Sequence, residues 1–280
     1  MTQNGVSVEK DVVFGRGGDV DLLCDVYSPP AGVSKRTAII HLHGGGFQRG
    51  SKDNGCQLAA PLAERGYVSL ACDYRLAPQS KWPAPVEDVK TAIRWARANA
   101  NRLGIDASKI VLAGYSAGGH LALTATGTAN RPEFEGTGGS AGVGSEVAAC
   151  LALYSVAELP RDADGNHPLM PAGSDDEAFR RAASINYIQP GFPPTLLFHA
   201  TTDTTIPFET SMRFFEALRK ANALAEMHIF EGLSHVFDRH PEFAASMAEI
   251  SDLFLDRHVV DPRTYPPFGP QAIAAVTTAP

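Results

Sequence analysis

The sequence predicts an α/β fold: a mostly parallel central sheet with helices on both faces and an antiparallel N-terminal edge. Three observations predict it. Short β-branched apolar runs alternate with longer helix-like stretches from about residue 37 onward, the rhythm of strand–helix–strand units in one parallel sheet. Those short runs are apolar throughout, as strands covered on both faces must be. Ahead of them, two runs joined by a Gly-rich turn read as a hairpin. A chain of 280 residues without an internal repeat or dividing linker fits one such domain.

VSVEKDVVF (6–14) and DVDLLCDVYSP (19–29) are the predicted hairpin strands, with GRGGD as the turn. TAIIHLH (37–43), YVSLACDY (67–74), KIVLAGY (109–115), EVAACLALYS (146–155), PTLLFHA (194–200) and AEMHIF (225–230) follow as parallel-type strands. Between them, 86–103 places Val86, Val89, Ile93, Ala96, Ala100 and Leu103 on one helical face, with Pro85 as a start signal. Helices are also expected over 117–128, 208–222 and 242–257. Two stretches break the rhythm: the Gly-rich 129–146, and 156–193, with a short helical piece around 175–183. Both follow strand ends, where such sheets bind ligands, so together with 47–57 they are expected as pocket walls. The last residues, 259–280, are expected to form an extended tail.

The composition excludes several classes. With 44% hydrophobic and 20% charged residues, this is the make-up of a soluble globular protein. Its 24 basic against 31 acidic side chains give a net charge of −7 without basic clusters, which argues against nucleic acid or an anionic membrane as partner. No apolar run approaches the ~20 residues of a membrane span, and the first twenty residues lack a signal-peptide pattern. The expected location is cytoplasmic. Cys24, Cys56, Cys72 and Cys150 form no CxxC pair and no metal-like spacing with His, so free buried thiols and no metal are expected.

The chemistry centres on Gly114-Tyr115-Ser116-Ala117-Gly118. It follows a buried strand and opens a helix, the setting of a nucleophile elbow. A serine hydroxyl needs a base to take its proton. Of nine histidines, His235 in GLSHVF lies between the last strand and the last helix, at the same sheet edge. His199 and His228 read as core residues, and His167, His240 and His258 as surface ones. The imidazole needs a carboxylate, and Asp203, just after the strand 194–200, is favoured over Asp238 and Glu231. The order Ser116, Asp203, His235 is that of α/β-hydrolases. His43-Gly44-Gly45-Gly46-Phe47 follows the strand 37–43 and offers bare N–H groups to a developing oxyanion; Gly45, Gly46 and Ala117 are the expected donors. Phe47 and Tyr115 are the expected substrate contacts.

With HGGGF, GYSAGG, DYRLAP (73–78) and WPAPVEDV (82–89) in this order, the chain resembles the HGGG-type α/β-hydrolases, the hormone-sensitive-lipase-like esterases and their bacterial carboxylesterase relatives. The resemblance runs from about 20 to 257 and places Gly45, Gly46 and Ala117 as an oxyanion hole. DYRLAP is implied to brace the oxyanion loop. Only 42 residues precede His43 and the antiparallel strands use them, so no large N-terminal cap is expected. In this the chain is similar to compact bacterial esterases that include feruloyl and acetylxylan esterase-like members. The resemblance implies one α/β-hydrolase domain over 1–280, with antiparallel strands in 1–36 and a small lid insertion at 156–193. It implies a serine carboxylesterase acting on short-chain acyl esters through an acyl-enzyme, with no cofactor, as a monomer or homodimer. Two alternatives stand beside it: an amide-type hydrolase, such as a kynurenine-formamidase-like enzyme or small peptidase, and a catalytically silent binding protein.

Overall fold

The structure, a computed structural model, describes residues 2–266. Its strands are β1 (Thr2–Gln3), β2 (Val6–Gly17), β3 (Val20–Ser28), β4 (Ala38–Leu42), β5 (Val68–Cys72), β6 (Ile110–Tyr115), β7 (Ala149–Leu153), β8 (Thr195–Ala200) and β9 (Ala225–Phe230). Its helices are α1 (Ala59–Glu64), α2 (Ala84–Ala98), α3 (Ala100–Leu103), α4 (Ala117–Gly127), α5 (Pro132–Glu135), α6 (Asp176–Ala182), α7 (Glu209–Lys220) and α8 (Pro241–Leu255). The strands form one sheet in the order β1-β2-β3-β5-β4-β6-β7-β8-β9. β1, β2, β3 and β5 pair antiparallel, and every pair from β5 through β9 is parallel.

Every residue of β4, β5, β6, β7 and β8 is buried, because successive side chains point to opposite faces and both faces are covered. Ile40 and Leu112 join Val86, Ile93, Leu121 and Phe214 of α2, α4 and α7 in one apolar cluster. Their neighbours Ile39 and Val111 join Leu62, Met247 and Phe254 of α1 and α8 in the other. Among the described residues, β9 has a single strand neighbour and is only partly buried.

Three elements depart from expectation. β2 runs on to Gly17, so the turn is Gly18-Asp19 rather than the whole of GRGGD. A Cβ on Gly17 would lie 2.3 Å from Arg75 Nε; this glycine marks a close approach within a strand, not a turn. The helix expected over 86–103 is interrupted at Asn99, whose side chain donates back to the Trp95 carbonyl (2.9 Å) and so competes with the helix ladder. Residues 256–260 continue α8 as a π-helical turn, and of the tail expected over 259–280, residues 267–280 lie outside the described residues. No described helix is long and apolar enough to cross a membrane. The four cysteines are free.

The stretches 129–146 and 156–193 are docked on the body of the sheet. Fully buried Lys90 reaches Glu135 at 2.8 Å, and Arg94 donates to the Glu135 and Gly139 carbonyls. Trp82 N donates to the Leu169 carbonyl (2.8 Å), which seats 167–170 beside α2. α6 is the short helix expected near 175–183, capped by Asp175 accepting from Ala178 N.

The loop from His43 to Leu58, between β4 and α1, is tied to the antiparallel edge by charge. Lys52 Nζ sits 2.8 Å from both Asp25 of β3 and Asp11 of β2, and its amide donates to Asp73 at 2.7 Å. The Asp25 side chain is fully buried. Burial alone would raise its pKa, but the bonds from Lys52 and Asp11 N outweigh that and hold it below the usual carboxylate range. Removing one partner of a buried pair is costly, although Asp25 would keep the exposed Lys10 at 3.2 Å. Lys52→Met should therefore lower the free energy of unfolding by less than the roughly 3–5 kcal/mol of a fully orphaned charge, read by urea titration; a change within measurement error would mean the cluster does not anchor the loop.

Candidate active site

Ser116 is the single residue between β6 and α4, at φ 54 and ψ −114. A left-handed backbone at a non-glycine residue costs about 1–3 kcal/mol and persists only where the surroundings impose it. Here Ser116 N donates to the Leu153 carbonyl of β7, and the Ser116 carbonyl accepts from His120 N. The turn also demands glycine at its exit, since a Cβ on Gly118 would lie 2.0 Å from the Leu42 carbonyl and 2.4 Å from that of His43.

His235 stands in the loop between β9 and α8, and Asp203 follows β8. The His235 Nδ1–H donates to Asp203 Oδ2 at 2.6 Å, and Nε2 accepts from the Ser116 hydroxyl at 2.9 Å. That tautomer follows from the partners, because an ionised carboxylate only accepts. Asp203 Oδ1 accepts from Thr205 N and Ile206 N, both at 2.9 Å. Buried His199 brings Nε2 to 3.3 Å from Asp203 Oδ2 while also donating to the Ile206 carbonyl, and the Ser211 hydroxyl donates to its Nδ1. Burial pushes the Asp203 pKa up, yet bonds from His199, His235 and Ile206 N prevail and hold it well below the carboxylate range. A serine hydroxyl within hydrogen-bond reach of an imidazole, itself oriented by a carboxylate, is arranged for proton transfer from the serine.

On the opposite wall, Gly45 and Gly46 adopt φ 127 and φ 63. Among the described residues their amides donate to no backbone acceptor, whereas the Gly45 carbonyl accepts from Gln48 N and Arg49 N. Ala117 N, in the first turn of α4, has no intrahelical partner either. A Cβ on Gly44 would lie 3.3 Å from that of Ser116, so this loop runs directly beside the serine. The DYRLAP segment holds it: the Tyr74 hydroxyl donates to the His43 carbonyl (2.8 Å) and Ala77 N to that of Phe47 (2.8 Å). Arg75 makes several bonds to Asp88 of α2.

A cavity of about 550 Å³ opens on Ser116 and His235 between the loop 44–57 and the turn 235–239. The expected walls at 129–146 and 156–193 do not line it. Buried Lys90 and Arg94 draw the first onto α2, and the second packs through His167 against Phe47. Phe47, expected to touch substrate, is 2% exposed with its ring edge-on to His120 and His167, and is not among the lining residues. Tyr115 borders the cavity, but its hydroxyl is engaged by Leu58 N and lies 3.2 Å from His41.

Sequence reasoning missed the part that two neighbours of this site play. His199 had read as a core histidine, although HATTD places it four residues before Asp203. Tyr154 packs edge-on against His235 with ring centroids 4.8 Å apart and donates its hydroxyl to buried Asp238. The available signal for Tyr154 was its position at the end of β7, the same edge that carries Ser116. Burial raises the Asp238 pKa against the opposing bond from Tyr154.

A doubly covered, mostly parallel sheet with a serine at a strand-to-helix elbow defines the α/β-hydrolase fold. The chain belongs to the BD-FAE family, whose model matches residues 24–218. It is similar to esterase 2 of the Planctomycetes species Thermogutta terrifontis, with TM-score 0.76 and 33% identity over 93% of this chain and 95% of that one. The butyrate-bound form of that protein gives TM-score 0.76 and 31% identity, over 93% and 97%. Esterase LipC of Mycobacterium tuberculosis is 34% identical over 236 residues, 79% of this chain. The chain spans 58% of LipC's own length.

The depressed Asp203 pKa links the site to stability. Its contribution is complete above the unfolded carboxyl value of about 4 and is lost as pH falls toward the folded value. In urea titrations from neutral pH downward, the midpoint of the wild type should fall more steeply below about pH 4 than that of Asp203→Asn. Parallel curves would contradict this assignment.

Proposed function

We propose that the chain hydrolyses carboxylic esters through an acyl-enzyme on Ser116, with short acyl groups preferred. The observation that carries this reading is the continuous hydrogen-bonded run Ser116–His235–Asp203 opening into a cavity beside the amides of Gly45 and Gly46. Ser116 Oγ attacks the ester carbonyl as its proton passes to His235 Nε2. The amides of Gly45, Gly46 and Ala117 receive the charge that develops on the carbonyl oxygen. His235 then protonates the leaving alcohol, and in the second half takes a proton from water, which attacks the acyl group and restores Ser116. Asp203 stays ionised throughout and holds the imidazole in one tautomer.

Three further points support it. The similar LipC of Mycobacterium tuberculosis and the similar Thermogutta terrifontis protein are both named as esterases. Propionate and butyrate are bound in structures of Thermogutta terrifontis esterase 2, which supports a small acyl group here. The base His235 is present within reach of the serine, so the chain is not a silent binding protein on this scaffold in our reading.

The test is hydrolysis of p-nitrophenyl esters from acetate to decanoate by wild type and Ser116→Ala. Wild type should be fastest from acetate to butyrate, and the variant slower by about 10³–10⁶-fold. Rates rising toward decanoate would overturn the short-acyl preference. Silence on every ester, with turnover of a formanilide, would transfer the triad to amide chemistry.

A further inference from the structure

The cavity at Ser116 carries charge that the proposed hydrolysis does not use. Arg49 and Arg239 both line it, from opposite walls. Arg49 belongs to the loop that bears Gly45 and Gly46; its amide donates to the Gly45 carbonyl, and its Cγ lies 3.2 Å from where a Cβ on Gly45 would be. The arginine stem therefore leans on the oxyanion loop. Arg239 closes a short 3₁₀ turn, Phe237–Arg239, that begins directly after Val236. Phe237 of that turn is buried in an apolar cluster, Asp238 is bound by Tyr154, and Arg239 N donates to the Val236 carbonyl. Both backbones are held in place while both residues are exposed.

Among the described residues, neither guanidinium lies within ion-pair distance of a carboxylate. Arg65, Arg75, Arg94, Arg97 and Arg102 each engage an Asp or Glu. Two guanidiniums with no ion-pair partner among the described residues line one cavity in a chain of net charge −7, and Asp238 acts on one of them, Arg239, through space. The carboxylate of Asp238 in the same lining is buried and engaged by the Tyr154 hydroxyl. A guanidinium fork matches the two oxygens of a carboxylate.

We infer that the preferred substrate is an ester bearing a free carboxylate, seated by Arg49 and Arg239 while its ester carbonyl lies at Ser116. This rests on the esterase reading and names its substrate class. The charge can enter on either side of the ester bond, acyl or alcohol, so the experiment compares both. On the acyl side, monomethyl glutarate is set against methyl valerate, which replaces the carboxylate with a methyl group. On the alcohol side, 4-acetoxybenzoate is set against its methyl ester. Proton release is followed for wild type, Arg49→Gln/Arg239→Gln and Arg49→Lys/Arg239→Lys, with p-nitrophenyl butyrate as the neutral reference.

On at least one side, the wild type should favour the anionic ester. The Gln pair should lower the anionic-to-neutral ratio of kcat/KM by about 10–100-fold, the weight of charge-assisted hydrogen bonds, mainly through KM. The Lys pair should recover part of that ratio, which a merely structural role would not do. The wild-type KM for the anionic ester should also rise between about 0.05 and about 0.5 M salt as screening strengthens; this readout holds even if a variant fails to fold. A ratio indifferent to the Gln pair, or a wild type that prefers the neutral partner on both sides without salt dependence, would overturn the inference while p-nitrophenyl butyrate turnover leaves the esterase reading intact. A wild type inactive on the reference ester as well would remove both.

Discussion

The chain passes from strand to helix through one residue, Ser116, and the rest of the site is arranged around that sharp reversal. To make it, α4 must start against the end of β4, close enough that Gly118 leaves no room for a Cβ beside the Leu42 and His43 carbonyls. The loop leaving β4 at His43 is thereby laid beside the serine. The strained backbone at Ser116 is held from the neighbouring strand by the Leu153 carbonyl. Parallel pairing from β5 to β9 then brings the carboxyl ends of β6, β8 and β9 to one edge, so that Ser116, Asp203 and His235 meet although 119 residues separate the first from the last.

The two walls of the cavity are held by different physics. The glycine loop hangs on ion pairs: Lys52 binds Asp25 and Asp11 on the antiparallel strands, and Arg75 binds Asp88 beneath DYRLAP. The acid side rests on fixed hydrogen bonds, two amides and two imidazoles converging on Asp203. Both arrangements offset the cost of burying a carboxylate with several donors, which is the condition for a buried charge to be tolerated. The serine side of the cavity therefore does not depend on the same contacts as the acid side. Tyr154 and Asp238 add a third support behind His235, built from a ring edge and a buried carboxyl rather than an ion pair.

Much of the architecture was legible because it rests on local pattern. Continuous apolar runs marked β4 to β8, since strands covered on both faces carry no alternation. The 3.6-residue spacing of Val86, Val89 and Ile93 marked α2. The juxtaposition of Ser116, His235 and Asp203 was anticipated from their positions at strand ends. What escaped was non-local or too short to show a period. α1 has six residues, too few for periodicity to declare itself. Gly17 resembled a turn signal because its true reason, the Arg75 side chain across the fold, is 58 positions away in the chain. The walls of the cavity were assigned to 129–146 and 156–193 because those stretches follow strand ends. Nothing local in them shows that Lys90, Arg94 and Phe47 hold them elsewhere.

By itself, then, the sequence determined the sheet, its direction of pairing and the residues that could form a nucleophile, a base and an acid. These follow from periodicity, from glycine at an elbow and from order along the chain, each readable over a few residues. The tertiary structure alone decided that Phe47 and Tyr115 serve as braces with buried rings or an engaged hydroxyl, that His199 shares Asp203 with His235, and that Arg49 and Arg239 face one cavity. Such facts depend on which charges and hydrogen-bond donors are satisfied once distant segments meet. A side chain's partners in space, rather than its neighbours in sequence, set whether it is spent on holding the fold or left for a ligand.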